Sequence, residues 1–156
     1  MKTLVLGIGN TLLADEGVGV HVLDLLAGTE LPGDVELLDG GTLSFTLAGP
    51  IQDAQALVVV DAANLQSPPG TLRVFEGEAM DRFLLGNRKS SVHEVGLTDL
   101  RAIALLTGHW PERRALVAIQ PRDVDWGEVP SAEVAAAIPE AVAAVRDLIE
   151  AWRHES

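Results

Sequence analysis

The chain is most constrained by a glycine-rich, acidic turn that joins a short apolar segment to a helical pattern. The turn spans residues 7–19 and reads Gly-Ile-Gly-Asn-Thr-Leu-Leu-Ala-Asp-Glu-Gly-Val-Gly. Residues 4–8 before it have the composition of a strand buried on both faces, and residues 18–27 after it have helical spacing. Glycine lets the backbone turn tightly between such elements. The turn therefore predicts a strand–helix unit of an open α/β sheet, whose sites lie at the carboxyl ends of the strands.

The same alternation of apolar and helical segments continues along the chain. Apolar runs predict strands at residues 35–38, 56–60, 72–75 and 114–119, and helical spacing predicts helices at residues 44–51, 96–106 and 131–153. Pro50 is expected to stop the first of these helices. No internal repeat and no second domain boundary interrupts the pattern. We therefore predict a single domain over residues 1–156, built on a doubly wound, mostly parallel sheet of about five strands.

The composition narrows the possible partners and compartment. The chain has 23 acidic residues against 11 Lys and Arg, a net charge of −12. Nucleic acid and anionic membranes both require a basic surface, so neither is an expected partner. Cysteine is absent, which excludes disulfides, thiolate metal sites and a cysteine nucleophile. Because the sequence has neither a signal-peptide pattern nor an apolar run that could span a bilayer, we expect a soluble cytoplasmic protein.

The glycine turn only partly matches the motifs that bind nucleotides. Gly7 and Gly9 have the spacing of a dinucleotide-binding fingerprint, but Leu12 stands where its third glycine belongs. The carboxylates of Asp15 and Glu16 would also repel a pyrophosphate at the start of the helix. No Gly-Lys-Ser/Thr follows, so a P-loop is absent. A non-catalytic nucleotide- or metal-binding module remains the alternative to an enzyme.

Four acidic residues and one histidine are predicted at loops or strand ends on one edge of the sheet. The acids are Asp15, Glu16, Asp39 and Asp61, and the histidine is His93. Carboxylates with one imidazole can hold a divalent cation, and such a donor set suits zinc, nickel, cobalt or manganese better than magnesium. Structural roles compete with this interpretation. Asp15 is expected to be structural at the helix start, Asp39 could be an ordinary turn residue, and Asp61 could cap the turn that follows it.

Five motifs lie in order along the chain. They are the turn at residues 7–19, Asp39-Gly40-Gly41-Thr42, Val60-Asp61-Ala62, His93-Glu94-Val95-Gly96-Leu97, and Ala118-Ile119-Gln120-Pro121 followed by Trp126-Gly127 and Ser131-x-Glu133-Val134. In order and spacing they resemble the motifs of the hydrogenase maturation endopeptidases, which process the large subunit of nickel–iron hydrogenases. The resemblance covers nearly the whole chain.

The resemblance implies a fold, an activity and a set of site residues. The fold would be a three-layer α/β/α sandwich around a twisted five-stranded sheet. Glu16, Asp61 and His93 would contact a metal, and Asp39 would serve recognition or catalysis. The reaction would be hydrolysis of one peptide bond, which removes a short C-terminal extension from the hydrogenase large-subunit precursor.

The resemblance also implies when the enzyme acts and with which metal. Members of the family act after nickel has been inserted into the precursor, so the metal would be the substrate's nickel, bound weakly or not at all by the isolated enzyme. Three protein ligands leave coordination positions open, which agrees with a nickel ion already held by the substrate. A monomer is the expected state.

Residues 76–92 lack clear periodicity and are predicted to form a mobile loop just before His93. Arg88 and Lys89 within this loop are possible contacts to the precursor. A plain solvated connector is the alternative. The sequence does not choose between these two interpretations.

Overall fold

The computed structural model describes residues 1–41, 48–86, 97–106, 108–122 and 126–155. Its centre is a sheet of five strands in the order β2-β1-β3-β5-β4. The strands are β1 (Thr3–Ile8), β2 (Val35–Gly41), β3 (Ala56–Ala62), β4 (Leu72–Glu76) and β5 (Arg113–Ile119). All pairs are parallel except β4 with β5, which is antiparallel. The predicted mostly parallel sheet of five strands is confirmed.

Helices cover both faces of this sheet, because its central strands are apolar on both sides. The helices are α1 (Val18–Ala27), α2 (Ala48–Asp53), α3 (Glu78–Gly86), α4 (Leu97–Leu106) and α5 (Ala132–His154). The side chains of α1 and α5 share one core with one face of the sheet. Side chains of α2 and α3 and residues near them pack against the other face. The three-layer sandwich follows from these two cores. No helix in the described part of the chain is long and apolar enough to cross a membrane.

Two glycines explain how the turn at residues 7–19 folds against the sheet. Gly19 lies where α1 crosses β1 and β3, and a Cβ there would overlap the carbonyl oxygens of Val60 and Ile8. Gly9 has φ of +129°, and a Cβ there would overlap the carbonyl oxygen of Glu16. Glycine is required at both positions, since any side chain would separate the segments. The turn therefore holds the backbone of Glu16 directly against the end of β1.

Two predictions about the middle of the chain were wrong. The segment 76–92, predicted to be a loop, contains α3, which buries Met80 and Asp81. An acid at a buried position obscures the helical pattern that apolar residues alone would show. Pro50 does not stop a helix but lies in the first turn of α2, where backbone N–H groups have no partner inside the helix. Arg88 and Lys89 lie outside the described residues.

Candidate active site

The parallel register brings the ends of three strands together at one edge of the sheet. Gly7 of β1 is paired with Asp39 of β2 on one side and with Val60 of β3 on the other. Asp61 follows Val60 directly. The short 3-10 helix Ala14–Gly17, which carries Glu16, packs against β3. The predicted gathering of acids at the carboxyl edge is therefore found for Glu16, Asp39 and Asp61.

Asp61 is the most enclosed of these three acids. Asp61 is only 7% exposed. It lies on the same face of β3 as Leu57 and Val59, the face of the sheet that α2 and α3 cover. A carboxylate in such a place is stable only with polar or cationic partners, because burial disfavours an uncompensated charge. Glu16 is half-buried next to this strand. Glu16 and Asp61 therefore lie on two adjoining elements, the 3-10 helix and β3.

Asp39 lies at the same edge but on the other face of the sheet. It is exposed, and it lies on the same face of β2 as Val35 and Leu37, which pack with the α1 and α5 core. Because successive side chains of a strand point to opposite faces, Asp39 and Asp61 project to different sides of the sheet. The sequence predicts both acids at one edge of the sheet but does not indicate that they lie on opposite faces. The role of Asp39 in catalysis stays a prediction.

Asp15 is a structural residue, as expected, but not as a simple helix-start acid. It has no exposed surface. Its carboxylate accepts hydrogen bonds from the backbone N–H of Arg122 at 2.8 Å, the backbone N–H of Ser131 at 2.6 Å and the hydroxyl of Ser131 at 2.8 Å. These bonds join the turn that carries Glu16 to the segment leading into α5. No local sequence pattern predicts this connection, because Arg122 and Ser131 are more than a hundred residues away from Asp15 in the chain.

The backbone strengthens the same connection. The N–H of Ala14 donates to the carbonyl of Gly127 at 2.6 Å, and the N–H of Gly127 donates to the carbonyl of Leu12 at 2.8 Å. Leu13 and Gly127 form an isolated parallel bridge. Residues 126–131 are therefore fastened along residues 12–15, next to the candidate site.

The predicted third metal ligand, His93, lies outside the described residues. Within residues 1–41, 48–86, 97–106, 108–122 and 126–155, no group of three or more acidic or histidine side chains could hold a metal ion. Of the three predicted ligands, only Glu16 and Asp61 lie within the described residues. The complete set of Glu16, Asp61 and His93 stays a prediction.

Comparison with known proteins assigns this architecture to a family. Residues 20–148 match the family described as hydrogenase maturation protease. The chain is 42% identical over 154 residues to the hydrogenase expression/formation protein HupD of Rhodobacter capsulatus, a match that covers 97% of this chain and 72% of that protein. It is 34% identical over 153 residues to the hydrogenase 2 maturation protease of Escherichia coli K12, covering 94% of this chain and 92% of that protein.

Solved structures of similar fold are also hydrogenase maturation proteases. The hydrogenase maturating endopeptidase HybD from Escherichia coli superimposes with a TM-score of 0.85 at 33% identity, covering 93% of this chain and 90% of that chain. The [NiFe] hydrogenase maturation protease HybD from Thermococcus kodakarensis superimposes with a TM-score of 0.74 at 25% identity, covering 96% and 99%. The chain belongs to the hydrogenase maturation protease family, which confirms the resemblance seen in its motifs.

Proposed function

We propose that this protein is the endopeptidase that removes the C-terminal extension of a nickel–iron hydrogenase large-subunit precursor. The observation that supports this most directly is the position of Glu16 and the buried Asp61 at one edge of the sheet, in a chain of this family. A peptide that approaches this edge would meet two carboxylates in a partly enclosed setting. We propose that the protein acts in the cytoplasm, as a monomer.

Nickel would enter the site as part of the substrate. Glu16, Asp61 and His93 would contact the ion, and the precursor's own ligands would fill the remaining coordination positions. Recognition would then require metal and peptide together, so a precursor without nickel would not be cut. The chemistry suits this arrangement, because nickel accepts both carboxylate oxygen and imidazole nitrogen.

Two routes for cleavage are compatible with these groups. The ion could polarise the scissile carbonyl, or a carboxylate could activate the attacking water as a general base. Asp39 is our candidate for the second role or for substrate recognition. Its exposure leaves it accessible to a bound precursor.

The decisive experiment is a cleavage assay on precursor prepared with and without nickel. Variants Glu16→Gln, Asp61→Asn and His93→Ala should lose cleavage of the nickel-loaded precursor. Asp53→Asn is the matched control, because Asp53 is an exposed acid just before the opposite end of β3. Failure of the parent protein to cut nickel-loaded precursor would refute the function. Equal cleavage of both precursors would refute only the dependence on nickel.

Metal titration of the isolated protein separates this function from the alternative of a metal-binding module. The proposed protease should bind nickel weakly in the absence of precursor. Tight retention of nickel by the protein alone would instead favour a binding module. Thermal stabilisation by NAD or ATP would favour a nucleotide module.

A further inference from the structure

Three large apolar side chains are exposed on the two paired segments beside the candidate site. Leu12 is 49% exposed, Trp126 is 80% exposed and Val129 is 76% exposed. Single exposed apolar residues are common on protein surfaces, but apolar groups gathered in one place mark interaction sites. Here the two segments that carry them are adjacent, because the N–H of Gly127 donates to the carbonyl of Leu12 at 2.8 Å.

These side chains are displayed on a fixed support rather than on a free loop. Val129 lies between Gly127, which is held by two backbone hydrogen bonds, and Ser131, which donates two hydrogen bonds to Asp15, and Trp126 directly precedes Gly127. The backbone of this segment is therefore ordered before a partner binds, which lowers the backbone entropy lost on binding. Tryptophan is also among the residues that contribute most to binding energy at interfaces.

The support is continuous with the candidate site. Asp15, which binds Ser131, precedes Glu16 directly in the 3-10 helix that packs against β3. Leu12 precedes Glu16 by only four residues, so a ligand that covers Leu12, Trp126 and Val129 would lie beside the turn that carries Glu16. Glu128 is exposed between Trp126 and Val129 in the chain, and the nearby exposed Arg122 is paired with Glu133 at 2.8 Å. The whole chain has a charge of −12, so a basic partner is favoured. The complementary ligand is an apolar segment with neighbouring basic residues.

We propose that Leu12, Trp126 and Val129 form a docking patch for the precursor, on which an apolar segment near the scissile bond lies while that bond reaches Glu16 and Asp61. This inference rests on the proposed function, because it takes the precursor as the occupant. It assigns affinity for the substrate to the docking patch and leaves the chemistry to the acidic edge.

The test compares steady-state cleavage of nickel-loaded precursor by the parent, by Trp126→Ser/Val129→Ser and by Leu106→Ser. The double variant should raise KM by about tenfold or more, with kcat within about twofold of the parent. Leu106→Ser is the matched control, because Leu106 is 88% exposed at the end of α4, and its KM should not change. Trp126→Phe should largely restore affinity, since it keeps an aromatic surface.

Fluorescence provides a readout that does not depend on cleavage. Of the three tryptophans, Trp126 is exposed, Trp110 is half-buried and Trp152 is buried. Covering the docking patch should therefore shift the emission of the parent to shorter wavelength through Trp126. The shift should be lost in Trp126→Phe, which still binds. Thermal melting of each variant shows whether it is folded. If the double variant is unfolded, the docking patch is tested by the fluorescence difference between the parent and Trp126→Phe.

The outcomes separate the two proposals. If the parent does not cut the precursor, the proposed function fails and the docking patch fails with it. If the parent cuts and the double variant has the same KM, the docking patch is refuted while the function stands. A fall in kcat of the double variant at unchanged KM would also refute the docking patch. A parent dimer that the double variant abolishes would assign the patch to a second copy of the chain instead.

Discussion

Asp15 binds Ser131 with both oxygens of its carboxylate. Oδ1 accepts the backbone N–H of Ser131 at 2.6 Å, and Oδ2 accepts its hydroxyl at 2.8 Å. Since Asp15 is fully buried, these bonds compensate the loss of water around its charge. The pair fixes the start of α5 against the turn that carries Glu16. Asp15 is therefore expected to contribute more to the stability of the fold than Glu16, the next residue in the chain.

Replacing Asp15 by Ala should lower the free energy of unfolding by about 3 kcal/mol, because it removes several hydrogen bonds to a charged acceptor and leaves buried N–H groups unsatisfied. Ser131→Ala is the milder comparison and should cost about 1 kcal/mol, since only the hydroxyl bond is lost. Urea denaturation of both variants measures the difference. Equal stability of the Asp15→Ala variant and the parent would contradict this role.

Gly19→Ala should destabilise the fold by about 3 kcal/mol or more, because its methyl group has to displace backbone atoms rather than a flexible side chain. The atoms concerned are the carbonyl oxygens of Val60 and Ile8. Gly33→Ala is the control, because a Cβ there meets nothing within 4 Å. Thermal melting should show a large loss for the first variant and little change for the second. Similar melting temperatures for both would show that α1 can move away from the sheet.

Asp81 should make stability dependent on acid pH. Arg114 donates to its two oxygens at 3.0 and 2.6 Å, and Trp110 donates at 3.3 Å. Burial raises the pKa of Asp81, but these hydrogen bonds and the charges of Arg114 and Arg101 outweigh it and hold the pKa below its ordinary value of 3.8. The ionised form is thus favoured by folding.

The stabilisation from Asp81 is consequently present above pH 3.8, the ordinary pKa of an aspartate, and is lost as the pH falls through the lower pKa of the folded state. Asp81→Asn should cost about 3 kcal/mol at neutral pH, because it leaves Arg114 without its charge partner. The difference in the free energy of unfolding between variant and parent should narrow as the pH falls below 3.8. Unfolding curves at several pH values test this, and a gap independent of pH would argue against the ion pair.

Asp39 and Asp61 should have separable effects on cleavage, because they lie on different faces of the sheet. Asp61→Asn should lower cleavage of the nickel-loaded precursor to the level seen with nickel-free precursor, so that the two precursors are no longer distinguished. Asp39→Asn should lower kcat by about a hundredfold, the scale of general base catalysis, and keep that discrimination. Parallel assays of both variants on both precursors measure the two effects. Loss of discrimination in the Asp39→Asn variant would place this residue at the metal instead.

The strands and the edge that gathers the acids could be predicted because their signals are local. Each central strand is a short apolar run, and each candidate acid follows such a run or its loop. The helix α3 could not be found this way, because buried Asp81 depends on Arg114 from a distant strand. The separation of Asp39 from Asp61 depends on which helices cover each face. The apolar rows at residues 35–37 and 57–59 are similar, and only the tertiary packing distinguishes their faces.

The hydrogen bonds that Ser131 donates to Asp15 also set an order for folding during synthesis. The turn with Glu16 is synthesised before β2, whereas Ser131 lies after β5 in the chain. A nascent chain that has not yet reached Ser131 lacks this partner of Asp15 and cannot complete this corner of the molecule. The acidic edge of the sheet is therefore expected to become fully ordered only after all five strands have been synthesised.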